Sequence, residues 1–284
     1  DLGGGMKAGF YLTSFFRADT GEAGRFSNDT QFSRDANVSL SSGYGTLTLG
    51  RGKSPDFLPT ILFNPFGDSF TFSPLVLHAD VPVGSFPNYR WKGTTPSDTG
   101  WSNQVTYTTP TVAGFKANLQ YQLGEQGAGA DQGKHNVGFN VFYDTGPLSL
   151  TAFWERDEIA NPAATNAPLK AGVGFTHQDW MVGGSYDAGV AKGYATYGKS
   201  FSNDNTVDKA TTSLGLSVPM GAGKWLAAVA HTKDDVADLT RNTTTVGYDY
   251  FLSKRTDVYA NLMHDTITNL ESGNSFAVGV RHRF

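Results

Sequence analysis

FKANLQYQL, residues 115–123, decides the fold. Phe115, Ala117, Leu119, Tyr121 and Leu123 point one way, and Lys116, Asn118, Gln120 and Gln122 the other. A period of two is the signature of a strand with one apolar and one polar face. A turn at Pro110–Gly114 precedes it, and Asn103–Thr109 precedes that turn as another strand. Working outward, the same pattern recurs at Met6–Phe15, Ser33–Ser41 and Thr46–Arg51. It continues at Val137–Tyr143, Leu148–Glu155 and 171–187, the last expected to be one long bulged strand, or two short ones, because its apolar phase slips between Phe175 and Trp180. Lys192–Phe201, Thr211–Val218, Lys224–Thr232, Thr243–Leu252, Thr256–Asp265 and Ser275–Phe284 complete fourteen expected strands.

The connections alternate between two kinds. Short turns fall near residues 43, 112, 146, 189, 221 and 254. Longer loops are expected at 17–30, 53–100, 124–134, 157–170, 202–210, 233–242 and 266–274. An up-and-down sheet with short turns at one rim and long loops at the other matches an outer-membrane barrel. Composition agrees: charged residues are 17%, aromatics 13%, and there are 34 glycines, against about 25% charged and about 7% Gly in an average domain. No run of eighteen apolar residues provides a membrane helix, but barrel strands need only about ten residues and hide their apolar face by alternation. Alternation cannot say which face points inward; size can. Fourteen strands enclose a space too wide for side chains to fill, so an apolar interior would be a void, whereas a lining of Asn, Gln, Thr and Ser suits water. Tyr44, Tyr107, Trp154, Trp180, Trp225 and Tyr250 sit near strand ends, where interfacial girdles form. The expected architecture is all-β, a transmembrane antiparallel up-and-down β-barrel forming a single domain over residues 1–284.

Lys53–Gly100 breaks the pattern. Seven of the chain's twelve prolines lie there, which excludes central sheet. The segment is nevertheless rich in Phe, Leu, Ile and Val, so it needs a surface to fold against. A loop this long is usually functional.

Several stretches resemble the general porins of Gram-negative bacteria, of the betaproteobacterial and neisserial type. They are DLGGGMKAGF at 1–10, YGTLTLGRG at 44–52, NPFGDSF at 64–70 and TTPTVAGFKANLQY at 108–121, then SVPMGAGK at 217–224, GYDYFLSKRTDVYA at 247–260 and AVGVRHRF at 277–284. The resemblance implies a sixteen-stranded homotrimer in the bacterial outer membrane, in contact with lipid and lipopolysaccharide. About fourteen of the sixteen strands are present here, so the sequence reads as N-terminally truncated. It implies passage of ions and small hydrophilic solutes, and reading of the terminal Phe284 by the assembly machinery. The third external loop of such porins folds inward as a constriction, and loop 53–100 holds that place. Asp68, in the loop-tip motif, is then the first acidic candidate, with Asp56 and Asp80 behind it. Arg51 matches the family's arginine in the strand before the loop, although parity with Leu47 and Leu49 requires a break at Gly50. Arg34, Lys7 and Lys116 are the other basic candidates. Thr106 stands where many relatives carry arginine, and Arg90 or Lys92 could compensate. Acids on the loop facing bases on the wall set a transverse field across the pore.

Other chemistries find little support. Six histidines show no HxxxH or HExxH spacing, there is no GxSxG elbow, and the absence of cysteine excludes thiol chemistry. GAGAD at 127–131 lacks the following helix that a phosphate cradle needs. Asp234 and Asp235 could attract calcium at the rim; otherwise no cofactor, metal or enzymatic function is expected. A net charge of −4 does not suit nucleic-acid binding. The alternative reading is a substrate-selective channel, or a surface binding protein anchored by its barrel.

Overall fold

The computed structural model describes residues 1–17, 19–24, 31–79, 100–124, 133–159 and 176–283. Asp80, Arg90, Lys92, Phe175, Phe284 and the GAGAD stretch lie outside them. The strands are β1 (Lys7–Thr13), β2 (Asp35–Ser42), β3 (Gly45–Lys53), β4 (Gly100–Thr108), β5 (Phe115–Leu123), β6 (His135–Thr145) and β7 (Leu148–Asp157). They continue as β8 (His177–Asp187), β9 (Lys192–Ser202), β10 (Asp208–Met220), β11 (Gly223–Asp234), β12 (Leu239–Phe251), β13 (Thr256–Ile267) and β14 (Gly273–His282). All fourteen form one antiparallel sheet in strict sequence order. Each strand from β2 to β13 bonds its backbone to both sequence neighbours, the arrangement that hydrocarbon surroundings demand, while β1 and β14 each pair on one side.

Three of the expected long loops are short. Ser202 to Asp208, Asp234 to Leu239 and Ile267 to Gly273 are tight connections, because β9 to β13 run further than their alternation suggests. Near that rim both faces are polar, so the period-two signal fades while the hydrogen-bonded ladder continues: Lys209 still pairs with Asp234, and Arg241 with Ile267.

Side-chain burial is inverted relative to a water-soluble barrel. Phe276, Val278 and Val280 on β14 are each 69% exposed, and Phe10 on β1 is 71% exposed. Phe10, Val38, Leu49, Val105 and Tyr121 follow one another across β1 to β5 in one apolar row. On the opposite face Gln104, Gln120, Asn136, Asn140, Thr243 and Thr245 are buried. They join across strands: Gln120 Nε2 donates to Gln104 Oε1 at 3.1 Å, and Asn118 Nδ2 to Asn140 Oδ1 at 2.6 Å. An apolar outer face is stable only against hydrocarbon.

Aromatic pairs band the outside at two levels. Near the short turns Phe115 stacks on Tyr143 at 4.2 Å and Trp225 meets Tyr248 tilted at 4.9 Å, and Tyr107 also donates its hydroxyl to Tyr44 O. Trp180 meets Tyr197 edge-on at 5.6 Å, and Trp154 lies 6.2 Å from Phe139, nearer the other rim.

Leu262 tests the orientation of the wall. It is 57% exposed in mid-β13, paired with Val246 and Phe276. Leu262→Arg should destabilise the bilayer-folded protein by about 2–4 kcal/mol in a denaturant titration. A neutral effect would mean that this face meets water.

Candidate functional site

The site is the described part of the loop after β3 and the wall beneath it. The loop contains two short helices, α1 (Phe57–Leu62) and α2 (Pro74–His78). Pro59 falls in the first turn of α1, where a missing N–H costs nothing. Ser73 caps α2, its hydroxyl accepting from Val76 N–H at 3.4 Å, and Pro74 supplies a preset first helical residue.

Between the helices, NPFGDSF closes around Asn64. Its Nδ2 donates to Thr60 O at 2.8 Å and Gly67 O at 3.0 Å, while its Oδ1 accepts from Phe66 N–H at 2.8 Å and Ser73 Oγ at 2.9 Å. Gly67 takes a positive φ of 59°, and the next residue, Asp68, emerges with its side chain exposed.

The wall's inner face is largely polar, but much of the loop's support is apolar. Phe66, Phe72 and Leu77 pack with Leu226, Ala228 and Met263, and Leu75 packs with Phe153 and Met181. Burying each large side chain contributes about 1.5–3 kcal/mol, against about 0.5–1.5 for a hydrogen bond, so the apolar contacts hold the loop down. Two wall glycines make room for prolines. A Cβ on Gly138 would lie 2.7 Å from Pro55 Cγ, and one on Gly215 would lie 2.5 Å from Pro65 Cδ. Polar contacts then fix position: Gln120 Nε2 donates to Lys53 O at 2.6 Å, Asn140 Nδ2 to Pro55 O at 2.7 Å, and Arg241 Nη1 to Leu77 O at 2.9 Å.

His78 ends α2 fully buried. Its Nδ1 lies 2.7 Å from Thr232 Oγ1 and its Nε2 lies 2.8 Å from Thr243 Oγ1. Thr243 donates its proton to Asp265 Oδ1 at 2.5 Å, so Nε2 carries the imidazole proton and Nδ1 accepts from Thr232. Burial first, then the nearby Arg241 guanidinium, holds the His78 pKa well below its ordinary value of 6.5; His231 and Lys209 push the same way.

Of the candidate charges, Arg34 reaches the loop, its guanidinium 5.8 Å from the centre of the Phe57 ring on α1. Arg51 sits where β3 slips register against β4 between Gly50 and Gly52, the break that its parity required. It donates to Ser33 O at 2.5 Å, Ser102 Oγ at 2.9 Å and Gly100 O at 3.3 Å, tying the loop's return to its departure. Lys53 pairs with Asp35 at 3.2 Å beside them. Asp56 is 7% exposed and turned to the wall: it accepts from Ser54 Oγ, and its backbone N–H bonds Glu155. Lys7 and Lys116 are exposed near the short-turn end. Thr106 pairs with Thr48 and Gln120 in the ladder. At the other rim, Asp234 accepts from Val236 and Ala237 N–H and pairs with Lys209, while Asp235 pairs with Lys233.

Asn64, His78, Arg241 and the two glycines were not singled out from sequence. Gly138 and Gly215 did carry a signal, since a lone glycine inside a strand often marks close approach of another chain segment. His78 carried none, because Thr232 and Thr243 are more than 150 residues away in the chain. Also unforeseen is a cluster on the inner face of β7 and β8. Glu155 pairs with Asp179 and Asp157 with His177, all four being buried. Asp157, His177 and Asp179 have ligand atoms within 4.8 Å of one another, a set able to hold a metal ion.

The model of the Gram-negative porin family matches residues 1–270. The chain belongs to that family. It is 33% identical over 274 residues to outer membrane porin protein 32 of Delftia acidovorans, covering 92% of this chain and 70% of that one. Its structure resembles the anion-selective porin from Comamonas acidovorans with a TM-score of 0.79 and 25% identity, over 100% of this chain and 86% of that one. OmpT of Vibrio cholerae, solved in a trimer form, matches with a TM-score of 0.60 and 16% identity, over 88% and 80% of the two chains. The sheet is thus the wall of an outer-membrane β-barrel, and the protein is a passive diffusion channel whose polar face lines the pore.

His78 gives the loop contact a pH dependence. Because its pKa is depressed in the docked state, docking is fully supported above the undocked value of about 6.5 and weakens as pH falls below it. Protease cleavage within residues 57–79 of the membrane-embedded protein should rise on acidification, and His78→Gln should flatten that rise. Cleavage independent of pH in the unmodified protein would contradict this.

Proposed function

We propose that loop 53–100 narrows this pore and that ions and small hydrophilic solutes cross it under a transverse field. Asp68 supplies the acidic side, and the edge bearing Arg34, Arg51 and Lys53 supplies the basic side. The observation that carries this reading is the hub at Asn64, which holds the loop tip rigid while leaving the Asp68 carboxylate exposed. A fixed charge beside the permeation path biases ions of opposite sign without any chemical step, so the protein acts as a channel and not as an enzyme. Lys7 and Lys116 contribute at the short-turn mouth, and Asp56 acts by seating the loop. Residues 1–284 form one barrel domain, and three chains assemble as a homotrimer within lipid and lipopolysaccharide, with Phe284 offered to the assembly machinery.

A selective channel would present a run of aromatic rings along the path. The inward Phe142 and Phe153 are instead engaged by the loop: Phe142 stacks with Phe63 at 6.4 Å, and Phe153 packs on Leu75. This favours unspecific diffusion.

Planar-bilayer recordings under a salt gradient test the assignment. Asp68→Asn should move the reversal potential towards anion preference, and Arg34→Ala should move it towards cations, both with ohmic conductance retained. Unchanged potentials in both variants would remove these residues from the constriction.

A further inference from the structure

We propose that Asp157, His177 and Asp179 form a binding site for one divalent transition-metal ion, of the Zn²⁺ or Mn²⁺ type, in the wall beneath the base of the loop. Asp157 ends β7 and His177 begins β8, directly paired, with Asp179 two residues along on the same face. The three residues are 0%, 3% and 2% exposed.

Two observations point to a cation. First, neither oxygen of Asp157 receives a hydrogen bond from an N–H or hydroxyl donor among the described residues. Its close polar neighbour is another acid, Glu155, and Asp56 lies near both. A buried carboxylate whose one hydrogen-bonding neighbour is a second acid is costly, and a bound cation relieves that cost. Four carboxyl groups crowd here, and the positive groups acting on Asp179 are His177 and Lys209, the latter also 3.7 Å from Asp234.

Second, the His177 ring is held with Nδ1 towards the acids, in contact with Asp179. Its Nδ1 lies 2.7 Å from Asp179 Oδ2, on the cluster side, and its Nε2 lies 2.9 Å from Ser200 Oγ. In the loaded site Nε2–H donates to Ser200, which leaves the Nδ1 lone pair for the metal. Such an outer partner is what fixes the tautomer of a ligating imidazole. A donor set of two carboxylates and one imidazole suits first-row transition ions better than calcium or magnesium, which prefer oxygen alone. For each atom to lie about 2.1 Å from an ion, separations near the 4.8 Å limit must contract and the 2.7 Å His177–Asp179 contact must open.

The test uses the full-length, detergent-solubilised protein stripped by chelator and then titrated with Zn²⁺ and, for its ligand-field bands, Co²⁺. One equivalent per chain is expected. Asp157→Asn should weaken it at least about tenfold, and Asp249→Asn, at the opposite end of the wall, should not. His177→Gln should alter the Co²⁺ spectrum by removing the nitrogen ligand. That readout stands even if Asp157→Asn fails to fold. No saturable uptake by the unmodified protein would overturn the proposal and leave the acids to share protons. Undiminished affinity in Asp157→Asn, or a Co²⁺ spectrum indifferent to His177→Gln, would overturn it equally. None of these outcomes bears on channel activity, so the site and the pore are tested separately.

Discussion

Hydrocarbon offers no hydrogen bonds, so every backbone amide that crosses it must be satisfied by the sheet itself. The rest of the structure follows from that constraint. It requires strands in an unbroken antiparallel ladder, and it forces alternate residues to face lipid and lumen. The outer face becomes Phe, Leu, Val and Tyr; the inner face becomes Asn, Gln, Thr and Ser, which bond across strands. Connections can be irregular only beyond the lipid, or inside the lumen where the wall satisfies them.

The loop uses that last freedom. Its prolines exclude it from the ladder, and its apolar residues need cover. Leu226, Ala228 and Met263 supply cover by replacing the polar lining over a limited patch. Apolar burial supplies the larger part of the docking energy, while Gln120, Asn140, Arg241 and His78 set its register on the wall. Gly138 and Gly215 let Pro55 and Pro65 come close enough for both to work. The exposed Asp68 results from this: it is left uncovered because its neighbours face the wall.

The sequence made the wall legible because lipid imposes a strict period of two, as in residues 115–123. It lost the ends of β10 to β13, where water wets both faces and polar residues such as Thr240 and Arg241 no longer alternate with apolar ones. It also showed that loop 53–100 was exceptional, yet not what it rested on. The stretch WLAAVA, residues 225–230, did hold a clue: it is apolar on both faces, so its inner face needed a partner within the barrel. The contacts of His78 and the acidic pairing of β7 with β8 depend on register between distant segments, which one sequence does not encode locally. Asp56 shows the same limit, since its acidity was visible but its turn towards Glu155 was not.

On these contacts the loop stays docked on the inner wall while the pore conducts. The natural chain has no cysteine, so Leu75→Cys and Met181→Cys can be joined by a short thiol-specific crosslinker in lipid-reconstituted protein. Docking predicts efficient crosslinking with ohmic current maintained. Failure of the pair to react, or loss of current once it is joined, would contradict it.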